Sequence, residues 1–228
     1  MCPTGQSTTI LRCVHPKNGL KFALELICTC PGMACSSRTE TGGWGFRYKY
    51  EQGVDSYYSE HGDDYCNPHA RDIAQCVQYS AKMLGLDTAT EHPKRNINIL
   101  DLSCGSGEVT KALQELIGNS VNIIGSDPYT ADLYKTCTNC CAYEWSFDDI
   151  INCCMEGLEF DVIICSYAVH LCPKEKLKLL SWELARKSKY LCVISPHKKA
   201  SLEGLGFHEV RGNKFGKSRL TIYKSDLY

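Results

Sequence analysis

No apolar run in this sequence approaches the ~18 residues needed to cross a membrane. Its opening stretch, "MCPTGQSTTILRCVHPKNG", lacks a charged segment followed by a long apolar one. Both absences argue against export and lead to the expectation of a soluble chain in the cytoplasm, with the nucleus also open. Charge of one sign is missing too: the net charge is −1 over 228 residues. Nothing global therefore argues for a nucleic-acid or membrane partner, and only local basic surfaces need weighing. There is no internal repeat and no low-complexity tract. Cysteine is the exception to this sparseness, with 16 residues. Without an export signal they are expected as reduced thiols packed like small hydrophobes, not as a disulfide framework. Cys28, Cys30 and Cys35 form one group, Cys137, Cys140 and Cys141 another, and Cys153 and Cys154 follow. Neither group contains two well-spaced C-x-x-C pairs, so no metal is expected.

What is present is a 43% hydrophobic fraction, enough for the core of one large α/β domain with an extra segment. Residues 1–55 are poorly patterned and read as an irregular extension. The first helix is expected from Asn67 as N-cap, with Pro68 in the first turn and Gly85 closing it. Strands are expected at 97–102, 121–126, 141–145, 160–165, 190–195, 206–210 and 219–224. Helices fall between the first five, at 107–117, 130–136, 149–156 and 174–187. Such alternation implies a parallel, doubly wound sheet. The end differs: "GFHEV", "RGNKFGKS" and "RLTIYKS" read as an antiparallel hairpin.

"ILDLSCGSGEVT", residues 99–110, carries the chemistry. An apolar strand ends at Asp101 and runs into Gly105 and Gly107. The dinucleotide fingerprint needs a third glycine, but Thr110 stands there. Two glycines still let backbone approach a ligand at a helix start, and that ligand need not carry phosphates. Asp127, after the second strand, follows Gly107 by 20 residues, the spacing at which an acid holds a ribose diol. A nucleoside joined to an amino-acid group meets both conditions, which points to S-adenosylmethionine. Asp101 would then balance its ammonium, directly or through water. The competing structural reading is that the glycines only turn the chain and Asp101 caps the helix.

The sequence resembles the class I S-adenosylmethionine-dependent methyltransferases over roughly residues 65–228. "ILDLSCGSGEVT" is similar to their first motif, with Ser103 in place of the first glycine; "IIGSDPYT", with Asp127 and Pro128, to the second; and "FDVIICSYAVHLCP" to the fourth. The resemblance implies a doubly wound Rossmann-like sheet of order 3-2-1-4-5-7-6 with an antiparallel C-terminal strand, in a methyltransferase domain spanning 56–228. By position it places Phe147 beside the adenine and Asp148 as acceptor from its amine. The fourth motif ends beside the transferable methyl, with Ser166 there as a candidate for binding the cofactor. Tyr167 and His170, which follow on the edge where ligands sit, are the candidate catalytic residues, His170 as general base by side-chain type. Tyr58 and Tyr65, just before the first helix, are candidates for covering the cofactor. The absence of a D-P-P-Y or N-P-P-Y run argues against an adenine amine as acceptor.

The expected acceptor is a small molecule or a protein side chain. Its pocket is expected to come from residues 1–70 and the loop after the fourth strand. Two competing readings are a non-catalytic partner subunit and an RNA methyltransferase. The second would use Lys198, Lys199, Lys214, Lys217 and Arg219 near the C-terminal hairpin.

Overall fold

The computed structural model describes residues 59, 62, 65, 67–86, 97–118, 121–196 and 201–228. The 1–55 extension, Tyr58, the cysteines at 28, 30 and 35, and Lys198 and Lys199 lie outside the described residues.

The elements are α1 (Ala70–Met83), β1 (Ile97–Leu102), α2 (Glu108–Ile117), β2 (Val121–Ser126), α3 (Ala131–Thr138), β3 (Ala142–Tyr143) and α4 (Phe147–Ile151). Then come β4 (Phe160–Ser166), a 3₁₀ turn (Val169–Leu171), α5 (Lys174–Lys187), β5 (Ser188–Ser195), β6 (Phe207–Phe215) and β7 (Ser218–Ser225). The strands form one sheet of order β3-β2-β1-β4-β5-β7-β6. Pairing is parallel from β3 to β5 and antiparallel for β5/β7 and β7/β6.

Residues of β1 alternate between two packed layers, as the two-residue period of a strand requires. Ile99 packs with α1 and α2 through Ile73, Val77, Val109 and Leu113. Leu100 and Leu102 pack on the other face with Ile150, Leu180 and Leu184. β4 is central and covered on both faces, which explains the nearly unbroken apolar run "FDVIICS". α5 starts after Pro173 at its N-cap position, with Glu175 in its first turn and Arg186 and Lys187 in its last, charges that complement the helix dipole. Cys76, Cys104, Cys165 and Cys192 are buried free thiols. Burial pushes the pKa of Cys165 and Cys192 up to about 12, so they are neutral core residues. Among the described residues no helix is long and apolar enough to cross a membrane, and no group of three or more His, Cys, Asp or Glu could hold a metal ion.

Several boundaries differ from the sequence expectation. α4 starts at Phe147 instead of 149, because Ser146 and Asp149 form a reciprocal capping box. It ends by Ile151, ahead of Cys153, whose φ is 65°. α1 starts at Ala70, because Asn67 Oδ1 accepts from the His69 N–H and makes a turn before the helix. β3 shrinks to Ala142–Tyr143. Most of the expected 211–218 loop is strand: β6 runs to Phe215 through a bulge between Glu209 and Arg211. Gly216 and Lys217 alone make the turn, with Gly216 at φ +53.

Candidate functional site

A cavity of about 460 Å³ lies at the carboxyl ends of the central strands. Ligands of open α/β sheets bind at this edge, where the order of strands reverses. The β1 end supplies Ser103 and Gly105, the β2 end supplies Asp127 to Thr130, and the segment after β3 supplies Trp145 to Asp148. Ser166, Tyr167 and Ala168 come from the β4 end, Leu171, Pro173 and Lys176 from the approach to α5, and Tyr65 from before α1.

The glycine turn is held from several sides. Gly105 has φ +55, and a Cβ on it would lie 2.6 Å from the Tyr65 ring, so the ring covers the turn only because the residue is glycine. The Gly105 N–H donates to Asp127 Oδ2 at 3.3 Å, while Asp127 Oδ1 accepts from the Tyr129 and Thr130 N–H groups at 2.9 and 3.1 Å. One carboxylate thus ties the β1 turn to the β2 loop. The wall next to it includes Thr130, whose buried Oγ1 has no partner. An unpaired buried hydroxyl costs free energy and suits a ligand rich in hydroxyls.

Ser103, expected at the cofactor, lines the cavity with φ 57°, and Tyr167 lines it with the same φ. Non-glycine residues in this region carry about 1 kcal/mol or more of strain, and such strain gathers at functional sites. The Tyr167 hydroxyl is 2.7 Å from Ser218 Oγ at the hairpin, and its ring stacks on His69 with centroids 5.2 Å apart. Burial raises the Tyr167 pKa above the ordinary tyrosine value, so it is not a base at neutral pH.

Three of the expected residues lie off the cavity wall, and a fourth lines it within a surface ion pair. Asp101 is fully buried and does not reach the cavity wall. Its Oδ2 accepts from the N–H and hydroxyl of Thr110 at 3.2 and 2.7 Å, which caps the first turn of α2 from outside the helix. Its Oδ1 has no partner, and burial pushes its pKa up to about 8. Gly107 is also away from the wall. With φ +83, it allows α2 to pack on α3, where a Cβ would collide with Thr138 Cγ2 and crowd Tyr134. The close-packing role of the third fingerprint glycine thus falls to Gly107.

His170 is exposed and absent from the wall, whereas Ala168 and Leu171 are part of it. A 3₁₀ turn puts residues three apart on one face, so 168 and 171 face the cavity and 170 does not. What burial the ring does have lowers its pKa below the usual histidine value. Asp148 lines the cavity, but both its oxygens lie 2.8 Å from Lys176 Nζ, an exposed pair that bridges α4 and α5.

Tyr65, Gly105, Pro128, Phe147 and Ser166, all expected at the cofactor or over it, line the cavity. Trp145 was missed. It stacks on Tyr143 with centroids 4.1 Å apart and planes 5° from parallel, and offers the cavity a broad aromatic surface beside Phe147. The signal was available, since Trp145 stands two residues before Phe147 in "YEWSFDDI". Tyr129 and Lys176 were missed as well, and no spacing rule marks them.

Residues 99–189 match the family model described as a methyltransferase domain. An uncharacterised protein of Schizosaccharomyces pombe, C17A5.05c, is 27% identical over 198 aligned residues, covering 70% of this chain and 78% of that one. Among solved structures, a SAM-dependent methyltransferase from Aquifex aeolicus is similar, with a TM-score of 0.52 at 16% identity, over 73% of this chain and 97% of that one. The N-methyltransferase NodS from Bradyrhizobium japonicum, solved with S-adenosyl-L-homocysteine, gives a TM-score of 0.50 at 11% identity, over 65% and 87% of the two chains. At these identities the structural likeness is one of fold.

Proposed function

We infer that this chain, with a matched methyltransferase domain over residues 99–189 and the sheet order described above, is a class I S-adenosylmethionine-dependent enzyme that moves a methyl group from S-adenosylmethionine to a nucleophilic acceptor. The carrying observation is the ring of groups at the carboxyl edge: Asp127 with the unpaired Thr130 hydroxyl, the Trp145 and Phe147 surface, and the Tyr65-covered glycine turn. Each suits a different part of a sulfur nucleoside.

Asp127 and Thr130 would hold the ribose hydroxyls. The Asp127 oxygens accept the backbone bonds described above and keep further lone-pair capacity, because a carboxylate offers about four acceptor sites. Trp145 and Phe147 supply apolar ring surface for the base, and Pro128 borders the same end. Tyr65, packed on Gly105, shields the amino-acid end from water. Asp101 acts at second hand, by fixing the first turn of α2 beside the glycine turn. When bound, the cofactor supplies a methyl on a sulfonium, already activated for in-line displacement. The protein's task is then alignment and exclusion of water. Tyr167 and Ser166 form the wall from which an acceptor would approach, and the Ser218 bond and His69 stack hold Tyr167 still.

Isothermal titration with S-adenosylmethionine and S-adenosylhomocysteine tests this reading. One-to-one binding is expected, at least about tenfold weaker in Asp127→Ala, because a hydrogen bond to a charged group contributes about 1.5–3 kcal/mol. No binding by the wild-type chain would overturn it.

A further inference from the structure

We propose that the tip of the β6–β7 hairpin is a docking rim for single-stranded RNA and that the acceptor is carried on that RNA. This rests on the methyltransferase reading above and departs from the sequence expectation of a small molecule or protein side chain. Four observations carry it.

First, the hairpin is locally basic in a chain of net charge −1. From Val210 to Lys224 it holds Arg211, Lys214, Lys217, Arg219 and Lys224 and no acid, and all of these cations are exposed. None forms an ion pair among the described residues.

Second, the tip stands at the functional edge. Arg219 pairs with Ser195 at the carboxyl end of β5, and Ser218 touches the Tyr167 hydroxyl in the cavity wall. The sheet order puts Asp127 and Trp145 toward β2 and β3, so an acceptor comes from the other side, past β4, where this hairpin lies.

Third, Lys214 and Arg219 are direct cross-strand partners. Like charges facing one another destabilise a hairpin, and an anion between them removes that cost. The ordinary explanation, lysines that blunt an exposed edge strand, covers Arg211 and Lys214 on β6. It does not cover Arg219, because β7 is flanked by β5 and β6 and is no edge. Nor does it cover Lys217 in the turn. Asp72, which touches the tip, spends one oxygen on the Lys217 backbone N–H at 2.8 Å, leaving the side-chain cations for another partner.

Fourth, beyond the rings given to the cofactor, Tyr129 and Tyr167 line the cavity beside this rim. Cations that follow a phosphate chain beside aromatic surface are how single strands are held. RNA offers unstacked bases in its loops, whereas DNA first has to be opened.

The experiment uses the full chain and a labelled single-stranded RNA of mixed sequence, about 20 nucleotides long, with binding followed by fluorescence anisotropy at low and fourfold higher salt. Three phosphate contacts give a log–log salt slope near −2, so affinity is expected to fall roughly 20-fold. The combined variant Lys214→Ser, Lys217→Ser, Arg219→Ser should bind at least about tenfold more weakly at low salt and lose most of the slope. Lys224→Ser, at the far end of β7, should bind like wild type, which separates position from net charge. Calorimetry with S-adenosylmethionine accompanies every protein. If the cofactor binds but RNA does not, or the triple variant keeps its affinity and slope, the rim proposal falls alone. Tighter binding of an acidic peptide or of DNA of equal length also overturns it. If wild-type protein fails to bind the cofactor, the methyltransferase reading falls, whatever RNA does.

Discussion

The two sides of the cavity are built on opposite principles. On the β1–β2 side, buried carboxylates and hydroxyls are consumed in fixing backbone: Asp101 holds Thr110, Asp127 holds Gly105, Tyr129 and Thr130, and Thr110 meets Tyr134 at 2.8 Å. On the β4–β7 side, a half-buried tyrosine leans on a hairpin whose cations face water. Preorganisation matters most where a flexible cofactor must be held in one pose, because freedom lost in advance is not lost on binding. The lysines and arginines from Arg211 to Lys224 stay exposed and, among the described residues, form no ion pair, which favours capture of a large partner over rigidity.

The contrast is broken most severely at Gly107. Gly107→Ala forces a side chain to φ +83 and into Thr138 and Tyr134, and is expected to cost about 4 kcal/mol from strain and overpacking together. Gly157→Ala, also at positive φ but with nothing within 4 Å, should cost only about 1 kcal/mol. Urea unfolding of both proteins measures the gap, and similar losses would show that α2–α3 packing is looser than described.

Asp101 sharpens the comparison through pH. Its folded pKa of about 8 stands above its ordinary 3.8, so between these values the native state keeps a proton that the unfolded chain releases. Stability from this group therefore falls as pH rises through the window and levels off above about 8. The slope is up to about 1.4 kcal/mol per pH unit. Asp101→Asn removes the titrating group, so its stability profile should be flatter than wild type between pH 5 and 7, though lower in absolute terms at acid pH. Equal slopes in the two proteins would mean that the carboxyl is ionised in the fold.

Trp145→Ala tests the aromatic end. Loss of one stacking face is expected to weaken S-adenosylhomocysteine binding by about tenfold, from ~1–3 kcal/mol per stacked base, with little change at the hairpin. The smallest effect belongs to the other side. Tyr167→Phe deletes the bond to Ser218 and should cost about 1 kcal/mol of stability. Cofactor affinity should stay within about twofold, since the wall keeps its ring and only the hairpin loses its tether. A larger loss of cofactor binding would mean that the hairpin and the nucleoside grip are coupled.

The parallel strands and the antiparallel end were legible in apolar runs, short connections and the terminal hairpin, because strand burial and turn chemistry are local properties that spacing exposes. Their lateral order was not: it came from the resemblance of the motifs to a known family, and the sheet has that order. The sequence also brought Asp127, Gly105 and Phe147 to one edge, since every parallel strand delivers its following loop there. Which side chains face the cavity was set by packing between distant segments. Asp101 was legible as an acid at the end of a strand, but the pleat turns it under α2. His170 was legible as the right chemical type, but the 3₁₀ turn carries it off the wall. Lys176 was invisible until α5 brought it to Asp148, and Gly107 showed its purpose only against α3. Orientation and long-range partners depend on packing between distant segments, and a linear pattern does not carry that information.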